Sequence, residues 1–116
     1  MESLDLAKRI TDIIVDGQGE NVLVLDLQSV VTFTDYFVLC SGTSHRHLNA
    51  LQATIREELK KGDVHLLAPH IEGEAETGWI LLDYNGVIVH LFSADMRAFY
   101  DLEGLWKNAR VVVQIQ

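Results

Sequence analysis

A chain of 116 residues, nearly half of them apolar, holds material for one folded domain over 1–116 and is too rich in core formers to be read as disordered. Seventeen acidic residues against nine basic ones leave a net charge of −8, which argues against a protein held to nucleic acid mainly by phosphate contacts and suits a basic partner. Cys40 is the only cysteine, so no internal disulfide forms; the acidic start and the lack of any apolar run of about eighteen residues lead us to expect a cytoplasmic protein with no membrane contact.

Residues 3–16 carry Leu6, Ala7, Ile10, Ile13 and Ile14 at helical spacing, with Ser3 as the expected N-cap and Gly17 as the stop. Residues 22–27 form an apolar run short enough for a buried strand, and 36–40 (Tyr-Phe-Val-Leu-Cys) form another after a connector. The turn Ser41-Gly42-Thr43-Ser44 then leads into a helix over 45–61, with Leu48, Leu51, Ile55 and Leu59 on one face and Lys60 and Lys61 near its negative end. From Asp63 to Gly78 we expect a short strand near His65 to Leu67 and then an exposed loop. Residues 79–84 and 87–92 are joined by Asn85-Gly86, a hairpin signal that asks for positive φ at both turn positions. Residues 95–108 suit one or two short helices, and Val111 to Ile115 could add a terminal strand. The expected class is α/β (α+β). Its sheet is mixed and of about five strands, flanked by helices, because 22–27 and 36–40 are joined without a crossover helix.

The turn from Gly42 to Ser44 at a helix N-terminus is the place where a nucleotide-binding or nucleotidyl-transferring enzyme would hold phosphate, though a glycine turn followed by a serine cap explains both residues. Such an enzyme also needs paired carboxylates for Mg²⁺, and the candidate strand offers Asp83 alone. The five histidines, His45, His47, His65, His70 and His90, include no i,i+4 pair, so no metal site is expected. Cys40 closes an apolar strand and reads as a small buried hydrophobe.

The segment from Glu72 to Trp106 holds seven acidic residues, one basic residue (Arg97) and six of the nine aromatics. Aromatics inside an acidic rim suit an interface for a basic partner; the competing reading places the aromatics in the core and the acids in water. Phe92 and Phe99 are expected in the core, whereas for Trp79, Tyr100 and Trp106 both readings stand. Side-chain alternation puts Trp79, Leu81 and Asp83 on one face and Ile80 and Leu82 on the other, the latter being the better core candidates.

Thr34-Asp35-Tyr36-Phe37-Val38 followed by Ser41-Gly42-Thr43-Ser44-His45-Arg46-His47 resembles the N-terminal signature of the Iojap, or ribosomal silencing factor, family. Glu72-Gly73, the run from Trp79 to Tyr84, Val89-His90-Leu91-Phe92, Arg97 to Glu103 and Leu105-Trp106 resemble its C-terminal signature. The resemblance covers about residues 3–108, leaving the tail from Arg110 to Gln116 outside. It implies a sheet related to the nucleotidyltransferase fold without its catalytic carboxylates, hence no enzyme and no cofactor. It implies a partner, the large ribosomal subunit through its ribosomal protein fourteen, bound at the face where subunits join, so that joining is blocked and translation falls. A homodimer off the ribosome stays open. The expected contact set is Trp79, Asp83, Arg97, Tyr100, Glu103 and Trp106: the aromatics as anchors, Asp83 and Glu103 meeting Arg or Lys, and Arg97 organising the segment through a carboxylate.

Overall fold

The two long amphipathic stretches become the two long helices, and the apolar runs between them become the middle of a sheet. The computed structural model describes residues 2–62 and 68–116. Helix α1 (Ser3–Asp16) leads to β1 (Glu20–Asp26) and β2 (Tyr36–Gly42), and α2 (His45–Lys60) follows. Then come β3 (His70–Glu74), a single 3-10 turn (Ala75–Thr77), β4 (Trp79–Asp83) and β5 (Val87–Ser93). The short helices α3 (Ala94–Tyr100) and α4 (Leu102–Leu105) precede β6 (Arg110–Ile115).

Among the described residues, six strands form one mixed sheet in the order β3-β4-β5-β2-β1-β6. Among these six, β2 and β5 are parallel, with α2 within the crossover between them, and the other pairs are antiparallel. The sheet thus has one strand more than the expected five or so. The segment 70–74, expected as an exposed loop, pairs with β4 and forms one edge: its residues are all exposed, so it has no buried periodicity by which to be recognised. The strand expected near His65 to Leu67 lies outside the described residues. The tail pairs with β1 and forms the other edge.

Two local expectations are corrected. Ser3 is not the N-cap of α1: Glu2 occupies that place, and Ser3 Oγ donates instead to Asp35 Oδ2 at 2.7 Å, tying the helix to the connector before β2. In the Asn85-Gly86 turn only Asn85 takes positive φ (80°). A Cβ at Gly86 would lie 2.3 Å from Ser3 Oγ and would displace the hydroxyl that binds Asp35.

One face of the sheet is sealed. Ile10, Ile14, Leu51 and Ile55 of α1 and α2 pack on Val38, Cys40, Ile80, Leu82, Val89 and Leu91. Ile80 and Leu82 are fully buried while Trp79, Leu81 and Asp83 are half-buried on the opposite face, as the alternation required. Leu82→Ala should therefore lower stability by about 2–5 kcal/mol through the cavity it leaves. A urea unfolding curve with an unchanged midpoint would refute this placement of the core.

Candidate docking face

The second face of the sheet is apolar as well, but only α3 and α4 lie on it. Leu23, Leu25, Phe37, Leu39, Ile88 and Phe92 are buried there beneath Trp79, Met96, Leu102 and Trp106. An aromatic chain crosses this face. Trp79 lies 4.6 Å from Tyr100 and 4.9 Å from Phe92, ring centre to ring centre, and 5.9 Å from His90. His90 meets Phe37 edge-on at 4.5 Å, and Phe37 and Phe33 both stand near Trp106, at 6.2 and 6.5 Å. These separations are those of favourable offset and edge-to-face pairs.

Apolar side chains of α3, α4 and the connector before β2 lie outside this cluster and face solvent. Phe99 is 75% exposed, Leu105 69%, Phe33 57% and Tyr100 45%. Phe92 lies in the core as expected. Phe99 does not; it extends from the outer side of α3, a helix of seven residues, about two turns, that buries none of them. Of the six residues expected to meet a partner, Trp79, Tyr100 and Trp106 join one aromatic surface. Asp83 sits at the end of β4, where its Oδ1 accepts from the backbone N–H of Asn85 at 2.8 Å.

Arg97 and Glu103 are engaged with each other. Arg97 Nε donates to Glu103 Oε1 at 2.5 Å, and Nη1 donates to the carbonyl of Asn21 (2.6 Å) and to Ser41 Oγ (3.1 Å). One guanidinium thus joins α3 and α4 to the ends of β1 and β2. Phe33, Phe99 and Leu105, outside the expected contact set, are among the most exposed apolar side chains of the face. Phe33 stands in a polar connector and offered no periodicity by which to place it.

Acidic residues border the face. In register, Glu74 lies opposite Trp79 and Glu72 opposite Leu81, so both carboxylates of β3 project on the aromatic side. The helix-covered side holds the remaining chemistry. Burial pushes the Cys40 thiol up to about 12, so it remains protonated and unreactive. At the turn before α2, Ser44 Oγ accepts from the His47 N–H as an N-cap, and His47 Nδ1 accepts from the Thr43 N–H at 2.9 Å. His47 Nε2 reaches the carbonyl of Gly17 at 2.8 Å. The Thr43 N–H that a phosphate would use is therefore already bonded. Among the described residues, no group of three or more His, Cys, Asp or Glu side chains could hold a metal ion, and no helix is long and apolar enough to cross a membrane.

His90 is the buried ionisable group of this face, only 3% exposed. The Trp79 indole N–H can only donate, and it reaches His90 Nδ1 at 3.2 Å, so Nδ1 accepts and the proton of the neutral ring sits on Nε2. That Nε2 is buried without a partner. Desolvation lowers the ring's pKa to about 4.

Comparison with known proteins gives one consistent result. The family described as "Ribosomal silencing factor during starvation" matches residues 1–116. A ribosomal silencing factor of Bacillus subtilis is 33% identical over 94 residues, 81% of this chain and 78% of its own. A mouse protein, "Mitochondrial assembly of ribosomal large subunit protein 1", is 32% identical over 76% of this chain and 39% of its own length. The crystal structure of a Chromobacterium violaceum protein superposes with a TM-score of 0.85 at 26% identity, covering 92% of this chain and 88% of that one.

The buried neutral histidine makes the fold acid-labile. Between pH 6.5 and about 4 the unfolded chain binds a proton that the folded ring refuses, so stability falls as pH drops through that window and is unaffected by this group above it. The loss should be about 2 kcal/mol at pH 5. In urea unfolding at pH 7.5 and pH 5, His90→Asn should lose less stability than the parent by about that amount. Equal losses would mean that the ring is not held neutral.

Proposed function

The chain belongs to the ribosomal silencing factor family, and from that premise we propose that it is a non-enzymatic repressor of translation that docks on the large ribosomal subunit. Its partner is ribosomal protein fourteen at the surface where the small subunit joins, and it acts in the cytoplasm. The observation that carries this reading is the half-covered second face of the sheet: Trp79, Tyr100, Phe99 and Leu105 present apolar surface, with Glu72 and Glu74 along its border. Such a surface suits a partner whose own docking patch is basic with an apolar centre. A fold with extents of 33 × 33 × 24 Å, seated through roughly 800 Å² of its surface, is bulky enough to obstruct an incoming subunit without any chemistry.

Within this reading the six named residues divide. Trp79, Tyr100 and Trp106 are the anchors and Asp83 is a charged contact at the rim. Arg97 and Glu103 hold α3 and α4 in place, so their loss acts through the shape of the face.

The protein should co-sediment with free large subunits and be recovered poorly from intact ribosomes. Tyr100→Ala and Phe99→Ala, both at exposed positions, should leave the thermal midpoint nearly unchanged while weakening docking about tenfold or more. Association should slow as salt rises, because screening removes the steering between an acidic face and a basic one. Equal recovery from subunits and intact ribosomes would rule out the steric block; tight retention on naked ribosomal RNA would rule out a protein-mediated contact.

A further inference from the structure

His90 is buried at the middle of the aromatic chain, and a purely steric role leaves it without a task. A phenylalanine there would occupy similar space and retain the stacking against Phe92, whose ring lies 6.0 Å away and nearly parallel. It would also avoid burying Nε2 without a partner. Packing alone therefore does not call for histidine at this position. What the histidine supplies is one acceptor, Nδ1, aimed at the Trp79 indole N–H across 3.2 Å. Trp79 in turn is the wall against which Tyr100 leans, at 4.6 Å.

Nearby charges do not interfere with the acceptor. Arg97 on α3 is turned to Asn21, Ser41 and Glu103, Asp83 on β4 accepts from its own turn, and Glu72 on β3 lies opposite Leu81, one strand beyond, and is exposed. The ring therefore remains neutral, with Nδ1 free of a proton.

The geometry points to His90 as a positioning residue of the docking face: through Nδ1 it fixes the rotation of the Trp79 indole, and through the indole the place of Tyr100. The inference rests on the docking reading above. A hydrogen bond at this depth selects one rotamer of an otherwise symmetric-looking aromatic slot, which stacking alone does not do.

The test compares His90→Phe, His90→Asn, Trp79→Phe and the double variant Trp79→Phe/His90→Phe, each measured for docking to large ribosomal subunits. Asparagine keeps an acceptor oxygen near the place of Nδ1. His90→Phe should dock about tenfold more weakly, His90→Asn should recover most of the loss, and the double variant should be no weaker than Trp79→Phe alone. In a proton–nitrogen NMR spectrum the Trp79 indole resonance, identified by its loss in Trp79→Phe, should move and exchange faster in His90→Phe and return in His90→Asn. If that resonance is indifferent to position 90, or if the two single losses multiply in the double variant, His90 does not act through Trp79. Should His90→Phe fail to fold, His90→Leu, which also removes the acceptor, takes its place in both measurements. A resonance that responds in a protein that does not bind large subunits would support the positioning and overturn the docking reading instead.

Discussion

β2 runs through the middle of the sheet with every residue from Tyr36 to Gly42 buried, and a strand buried on both sides obliges the protein to cover two faces. The helices available are unequal to that. α1 and α2, of fourteen and sixteen residues, lie side by side and seal one face. The other face is left to α3 and α4, of seven and four residues, neither of which buries a residue fully. Large aromatic side chains make up part of the difference, each covering more sheet than an aliphatic would, so the second face is a core that remains incomplete. The same shortage leaves Phe99 and Leu105 exposed.

That incomplete layer is held by a few specific polar contacts rather than by bulk. The Arg97 guanidinium binds groups on three other parts of the chain, and Arg110 reaches Asp26 at 2.9 Å, pinning the start of β6 to the end of β1. The Asp26 carboxyl is held below its ordinary range by the backbone N–H of Gln28 first and by Arg110 second. Exposed ion pairs of the second kind stabilise little. Their use here is to set register at an edge strand whose exposed Val111 and Ile115 give weak guidance. The aromatic chain adds directional restraint of its own, since Trp79 is stacked on one side and bonded through its N–H on the other.

Acidity has two destinations in this fold, which explains why net charge alone was a weak guide. Some carboxylates serve local geometry. Asp83 closes its own turn, Asp101 accepts from the Gly104 N–H at the start of α4, and Glu103 is held by Arg97. Others, such as Glu72 and Glu74, stand exposed in register beside Leu81 and Trp79. The Glu103 charge is offset by Arg97, whereas the carboxylates bonded only to backbone N–H groups keep their charge and add to the field that a partner would meet from a distance.

By itself the sequence determined the elements whose apolar period is strong: α1, α2, β1, β2, β4 and β5, and with them the sealed core and the division of β4 into an Ile80–Leu82 face and a Trp79–Asp83 face. Family membership was also legible, because the signature blocks keep order and spacing over nearly the whole chain. What only the tertiary structure decided is whatever lacks a local period. β3 is exposed along its length and becomes a strand solely because β4 offers it an edge; β6 likewise depends on the open side of β1. Ser3 had the chemistry of a cap and is drawn off by Asp35, thirty-two positions away. Phe99 and Phe92 look alike in sequence, yet one is exposed and the other buried, because burial is set by the length of α3 against the width of the sheet. The bond from Trp79 to His90 joins side chains eleven positions apart that become neighbours only once two antiparallel strands pair in one register. Local pattern fixes which side chains face a layer; which of them meet, and which are left outside, follows from how much helix there is to cover it.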